Sequence, residues 1–247
     1  MSRLIGLVTP VMINFPGYCA LLKSMTGTVI APAIQDNWSY NHGVSVAWNN
    51  GIRHCFNDMG CTHVLITNDD IVICRDGANR LADRLDVHDD VIMTTGRQVK
   101  GQKGYDGTIG GLERMLPPSD YDAATGDTDN PDFSCFMIDR RAFDIIGMFD
   151  ENFKPGYFED NDYHYRLQVE GYRAANMASV PQYHIGSQTG SSKRLKEPAV
   201  THQQFDANRT YYKNKWGGNP AEETFKTPFN DPERVTWDWK LSDRQGY

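Results

Sequence analysis

The chain has 247 residues, a formal charge of -7 and an apolar share of 39%. That length fits one sizeable domain or two small ones, enough to bury a core without disulfide or metal staples. No apolar run approaches the roughly 18 residues of a membrane helix, and a pI near 5.5 disfavours sequence-independent binding to a nucleic-acid backbone, which wants a basic face.

The opening residues, Met1 to Pro10, run straight into a strand-like segment. They lack a signal peptide's charged start, long apolar stretch and small-residue cleavage site, which points to a cytoplasmic protein. The five cysteines (Cys19, Cys55, Cys61, Cys74 and Cys135) include no C-x-x-C pair and read as reduced, mostly buried thiols.

Leu4 to Val8 reads as a first buried strand. Thr28 to Ala33 reads as a second, ending in the polar loop Gln35-Asp36-Asn37-Trp38-Ser39. Val44, Trp48, Ile52 and Phe56 then recur every four residues, a helix face, with Gly60 as its stop. His63 to Thr67 is a third strand that runs into Asn68-Asp69-Asp70. Ala78, Leu81, Ala82 and Leu85 mark another helix, and Val91 to Met93 another strand. This alternation predicts an α/β sandwich with a mostly parallel sheet, whose ligands bind beyond the carboxyl ends of the strands.

The middle, residues 97–132, is rich in Gly, Asp and Pro and reads as a long connection. Phe133 to Ile138 is a strand, and Asp139 can cap a short helix carrying Ala142, Ile145 and Ile146. Asp160, Tyr163, His164 and Leu167 share a helix face that Gly171 ends. A late helix carries Phe205, Tyr212 and Trp216 and closes on Gly217-Gly218. Residues 227–247, with Trp237 and Trp239 among charges, read as a tail that packs on its own domain or on a partner.

Three groups of residues could carry chemistry. Asn68-Asp69-Asp70 after an apolar strand could hold a hard divalent cation, which takes one or two carboxylates and fills its shell with phosphate oxygens and water. The plainer reading is an Asx turn or helix cap. Glu159-Asp160, with Asp162 nearby, falls at a predicted helix start. There the helix dipole favours an ionised carboxylate, which suits a general base, though acids in a first turn are also ordinary stabilisers. His184, followed by Gly186-Ser187 and by Lys193, Arg194 and Lys196, offers an imidazole ligand and small residues that can approach phosphates. It could equally be a polar loop with an incidental histidine.

The order of these elements resembles that of the family-2 inverting glycosyltransferases, which have the GT-A nucleotide-diphospho-sugar fold. The resemblance runs from about Leu4 to Gly218 and rests on segments in sequence order. Asp36-Asn37-Trp38-Ser39 is similar to the family's Asp-Asn-x-Ser loop. Asn41-His42-Gly43 followed by Ala47-Trp48-Asn49-Asn50-Gly51-Ile52 is similar to its Asn-x-Gly and Ala-x-Asn-x-Gly-Ile segment. Val64 to Asp70 resembles its strand and DxD-type motif, with Asn68 where many relatives have a first Asp. Arg140-Arg141-Ala142-Phe143 and Gly147-Met148-Phe149-Asp150 resemble its helix and following turn. Phe158-Glu159-Asp160-Asn161-Asp162 with Arg166 resembles its Glu-Asp-x-Asp segment. His184 with Gly186-Ser187, and Tyr211-Tyr212-Lys213 with Lys215-Trp216-Gly217, match its late motifs. Short motifs recur by chance, but a fixed order along most of a chain is much harder to obtain that way.

The resemblance implies a GT-A domain over residues 1–226, divided into a nucleotide-binding half (1–96) and an acceptor-binding, catalytic half (97–226). Pro10, Asp36, Asn49, Asn50 and Gly51 would line the base and ribose of a nucleotide-sugar donor, commonly a UDP-sugar. Asn68 and Asp69 would support that site. Asp70 and His184 would ligate Mn²⁺ or Mg²⁺, and Gly186 and Ser187 would approach the diphosphate. Asp160 would be the general base of an in-line displacement, with Glu159 orienting the acceptor or its own loop. The acceptor could be a glycan, a protein or a small molecule, selected by loops, by the tail or by a homo-oligomer.

Three alternatives compete. A metal-dependent phosphohydrolase would need a water nucleophile and often two metals. A nucleotidyltransferase would want a glycine-rich basic loop where this chain has Val8-Thr9-Pro10-Val11-Met12. A carbohydrate-binding module could use Trp48, Trp216, Trp237 and Trp239, but would not need Asp70, Asp160 and His184 together.

Overall fold

A computed structural model describes residues 3–11, 15–25, 30–36, 41–99, 111, 112, 114, 131–184, 200–240 and 243. Most of the Gly/Asp-rich connection lies outside the described residues. So do Asn37, Trp38, Ser39, Gly186, Ser187, Lys193, Arg194 and Lys196.

Among the described residues the strands are β1 (Ile5–Val11), β2 (Ile30–Asp36), β3 (His63–Thr67), β4 (Ile71–Ile73), β5 (Val91–Gln98), β6 (Cys135–Asp139) and β7 (Arg173–His184). The longer helices are α1 (Phe15–Ser24), α2 (Val44–Arg53), α3 (Gly77–Val87), α4 (Arg140–Ile145), α5 (Glu159–Val169) and α6 (His202–Trp216). The strands form one sheet in the order β2-β1-β3-β6-β5-β7-β4. β2, β1 and β3 run parallel, as do β5 and β7. β6 is antiparallel to both neighbours, and β4 is antiparallel to β7. The α/β sandwich is thus the expected one, with antiparallel pairings entering at β6 and at the margin. β6 lies between β3 and β5, so both halves of the chain contribute to a single sheet.

Alternation along the strands builds the two cores. Ile5, Leu7 and Val11 pack with Leu21 of α1 and with Leu81 and Leu85 of α3 on one face. Val8, Val64 and Ile66 pack with Trp48 and Ile52 of α2 and with Tyr163 and Leu167 of α5 on the other. Each such side chain taken fully out of water contributes about 1.5–3 kcal/mol. Trp48 sits edge-on to Phe136 (5.4 Å) and belongs to this core. A third cluster, containing Phe153, Tyr165, Tyr211 and Trp216, fills the seam between α5 and α6.

Local signals account for the helix ends. Asp139 caps α4 by accepting from the Arg141 and Ala142 amides. Thr201 and Gln204 form a capping box on α6, which stops at Gly217 in the left-handed region (φ 77°). The apolar face that begins at Val44 outlasts α2. Beyond Arg53 the chain widens into a π-helical turn over His54–Asp58 that still buries Phe56. The five thiols form no disulfide; Cys19 is exposed and the other four are buried. No helix among the described residues is long and apolar enough to cross a membrane.

The segment after residue 226 packs against its own domain at several points. Thr236 is buried and donates to Glu170. The Lys240 carbonyl accepts from Asn152 Nδ2 at 2.7 Å. Trp237 lies against Gly147 yet stays half exposed.

Candidate functional site

The chain passes from β1 to β2 on one side, then to β3 on the other. The carboxyl ends of β1 and β3 therefore border a topological switch point, the usual ligand crevice of such sheets. The hydroxyls of Thr9 and Thr67 share a buried 2.9 Å hydrogen bond across it. Pro10 lies at the end of β1, paired in register with Gln35, and Asp36 ends β2 opposite Val11. Asn68, Asp69 and Asp70 follow β3 directly, with the Asn68 amide donating to the Ser134 carbonyl at 2.8 Å. Asp69 and Asp70 are both buried.

Asp70 precedes β4, and β4 pairs with the end of β7 so that Ile71 faces His184. This pairing sets His184 Nε2 3.0 Å from Asp70 Oδ1. A carboxylate and an imidazole, distant in sequence, thus converge beside the switch point. Mn²⁺ or Mg²⁺ can accept such a donor pair where further oxygen ligands complete the shell, because these ions take few protein ligands. Among the described residues no group of three or more His, Cys, Asp or Glu side chains is arranged to hold a metal without such help.

Sequence reasoning passed over a set of polar residues between these groups. Asp132 accepts from Gln98 Nε2 and, at 3.0 Å, from Gln182 Nε2. Gln98 also bonds Ser134 Oγ at 3.2 Å and accepts from the His184 amide at 3.2 Å. The set links the ends of β5 and β7 to the segment that supports Asn68. Asp132 fell at the margin of the Gly/Asp-rich connection, where no periodicity marks a single acid.

α5 begins at the same edge. β7 starts at the opposite edge, beside Val91 of β5, and α5 descends to it, so Glu159 and Asp160 occupy the upper end. Glu159 is buried, and its Oε2 makes no hydrogen bond. Burial, and then the neighbouring Asp160 charge, hold its carboxyl well above the usual range. Burial also raises the Asp160 carboxyl, against the downward pull of the Asn161, Asp160 and Phe158 amides. The sequence argument expected the helix dipole to favour the ionised form of Asp160. Desolvation outweighs it here. A carboxylate moved up in this way is a better proton acceptor.

An acid whose folded pKa exceeds its unfolded value stabilises fully below the unfolded value. It loses that contribution as pH rises through the folded one. Glu159→Gln removes the cost of ionising the buried acid. It is expected to raise the melting temperature at pH 8, relative to wild type, by about 2–4 °C, the shift that ~1 kcal/mol makes in a chain of this size. Near pH 4 the gain should vanish. Melts at both pH values check this, and an equal shift at both would sink the account.

The remaining candidates are placed otherwise. Asn49 and Gly51, expected to line the nucleotide, turn inward. Asn49 is fully buried and clamps the turn after α4, donating to the Phe149 carbonyl (2.9 Å) and accepting from the Phe149 amide (2.9 Å). Gly51 lets α2 approach β1, since a Cβ there would fall 2.4 Å from Val8. Asn50 is exposed and accepts from Arg53. Asp162, an acid of the first turn of α5, is wholly buried. It binds Arg166 (2.9 Å), Lys215 (2.6 Å) and Trp216 Nε1 (2.8 Å). Lys215 also reaches Asp150 at 2.8 Å, and Arg166 donates to the Ile146 and Met148 carbonyls. This network joins α5, α6 and the turn between α4 and α5.

No family model matches the chain. A stretch of 67 residues is 37% identical to a galactofuranosyl glycosyltransferase of Leishmania donovani, covering 24% of this chain and 15% of that protein. The catalytic domain of Drosophila beta1,4-galactosyltransferase 7, solved with xylobiose, is similar with a TM-score of 0.53 at 13% identity, over 84% of this chain and 80% of that one. The mannosyltransferase PcManGT from Pyrobaculum calidifontis, solved with GDP-Man and Mn²⁺, matches with a TM-score of 0.50 at 14% identity, over 86% of this chain and 61% of that one. A fragment of S. aureus TarS matches with a TM-score of 0.50 at 12% identity, over 76% of this chain and 61% of that one. The fold is therefore that of the GT-A-like glycosyltransferases. At these identities the likeness describes the fold alone, and this chain spans only part of several of these relatives.

Proposed function

We propose that the protein is a metal-dependent inverting glycosyltransferase that moves a sugar from a nucleotide-diphospho-sugar, with a UDP-sugar as the first donor to test. The observation that carries this reading is the convergence of Asp70 and His184, 3.0 Å apart, beside the switch point of a glycosyltransferase-like sheet. Nucleotide recognition would fall to Pro10, Asp36 and Asn68-Asp69, all at the carboxyl edge, with Gly186 and Ser187 as the proposed diphosphate contacts.

Asp70 and His184 would hold the divalent ion, which when bound offsets charge on the diphosphate. Asp160 takes the proton of the acceptor hydroxyl. The acceptor oxygen bonds to the anomeric carbon as the bond to the phosphate oxygen breaks, and the nucleoside diphosphate leaves with that electron pair. One displacement inverts the anomeric centre. Glu159, buried and with its carboxyl held well above the usual range, orients the acceptor or the turn that leads into α5.

The test is thermal. Mn²⁺ with a nucleoside diphosphate present at about 100 times its dissociation constant should stabilise the fold by roughly 2.7 kcal/mol, read as a rise in melting temperature. EDTA should remove the rise. A panel of uridine, guanosine and thymidine diphosphates that produces no metal-dependent rise would overturn the reading.

A further inference from the structure

Tyr157 lies three residues before Asp160 and is 55% exposed, whereas its neighbour Phe158 is buried. Both residues adopt the left-handed region, each with φ 76°. Consecutive aromatic residues rarely do so, and the conformation costs on the order of 1–3 kcal/mol at each position. The surrounding structure enforces it. Asn208 of α6, fully buried, donates from Nδ2 to the carbonyls of Gly156 (2.8 Å) and Tyr157 (3.2 Å). Phe205, one turn earlier, meets the Tyr157 ring edge-on at 5.3 Å and 73°. The strained backbone, the buried amide and the supporting ring together hold a flat aromatic side chain in solvent at the end of α5 where the proposed base sits. Strain of this kind persists where a ligand is gripped.

The surroundings narrow the ligand. A lipid would want a broad apolar surface, but Tyr157 is bracketed in sequence by the exposed Lys154 and the half-buried Asp160 and Asn161. A single exposed aromatic face flanked along the chain by hydrogen-bonding residues matches a sugar ring, whose C–H face is apolar and whose hydroxyls project from the rim. We propose that the Tyr157 ring is the platform on which a sugar of the acceptor stacks, so that the acceptor is a saccharide. This rests on the glycosyl-transfer reading and names its substrate class.

The test uses the full chain and two independent readouts. Saturation-transfer NMR on a panel of alkyl mono- and disaccharides reads acceptor binding without turnover. Nucleotide release from the donor, with and without the saccharide, reads catalysis. Tyr157→Ala should abolish saturation transfer to the best saccharide and raise its KM by about tenfold or more, as the loss of one stacked ring implies. Its donor KM should stay within about twofold, since RT ln 2 is a small fraction of the free energy of binding. Tyr157→Phe should restore saccharide binding. The proposal is overturned if Tyr157→Ala binds saccharide as wild type does, if it loses donor affinity instead, or if the wild-type protein binds no saccharide in the panel. Absence of any metal-dependent nucleotide release, with saccharide binding intact and sensitive to Tyr157, would instead overturn the transferase reading and leave a saccharide site.

Discussion

Asp160→Asn is expected to remove sugar transfer while leaving nucleotide binding intact. The substitution keeps the size of the side chain and its hydrogen bond from the Asn161 amide (2.8 Å), but removes the proton acceptor. Loss of a positioned general base costs about 10²–10⁴-fold. Transfer rates should fall by that factor, while the metal-dependent thermal shift with nucleoside diphosphate stays at the wild-type value. The same raised carboxyl predicts the shape of the wild-type pH profile. Burial lifts Asp160 above its ordinary 3.8, so the acidic limb of kcat should fall above the pH at which an exposed aspartate titrates. Unchanged transfer in the Asn variant would remove Asp160 as the base.

Lys215→Met should produce the largest loss of stability. Lys215 is fully buried between Asp150 and Asp162, and removing it leaves two acids facing a site without its cation. Breaking a buried ion pair from one side costs about 3–5 kcal/mol. In a chain of this size, that lowers the melting temperature by roughly 6–20 °C. The Asp162 carboxyl shows how the network balances. Burial pushes it up, but the Lys215 and Arg166 charges outweigh burial and hold it below the ordinary range. A depressed acid stabilises above its unfolded pKa, and that stability is lost as pH falls through the folded one. The destabilisation should therefore be full at pH 7 and shrink in acid. Calorimetry across pH checks both parts, and a melting point within a degree or two of wild type at pH 7 would contradict the account.

Much of the framework was legible in the chain because buried strands leave unbroken apolar runs. His63 to Thr67 and Val91 to Met93 are such runs, and the four-residue spacing of Trp48, Ile52 and Phe56 marks a buried helix face. α1 was missed. It opens at Phe15-Pro16-Gly17, where a proline and a glycine read as loop although proline fits a first helical turn. β7 was missed for a different reason. Its sequence, RAANMASVPQYH, neither alternates nor runs apolar, and Pro181 interrupts it. The strand accommodates Pro181 beside a register shift opposite Gly96 and Arg97, a place where a proline is tolerated.

The site was legible in part for the same reasons. Local context singles out Asp70 and His184 separately, one after an apolar strand and one before small residues, and the family resemblance pairs them as metal ligands; the β4–β7 pairing is what sets them 3.0 Å apart. The core role of Asp162 could not be read locally, because its partner Lys215 comes from a helix much later in the chain. Asn49 was similarly opaque. An asparagine on a helix looks like a ligand contact until the Phe149 backbone is seen to occupy both ends of its amide.

The β4–β7 pairing has a consequence for the order in which the molecule assembles. β4 is three residues long and lies at the margin of the sheet. Among the described residues it pairs with β7 alone, the last strand in chain order, so its docking closes one of the longest loops in the fold, and such contacts form late. Backbone pairing does not hold it alone: Ile71 and Ile73 are fully buried in the core that Leu21 and Leu81 share, so apolar packing also keeps the seam shut. Asp70 and His184 stand on the two sides of that seam. A ligand bound between them would add its binding energy to that closure, so its affinity and the stability of the seam would be linked.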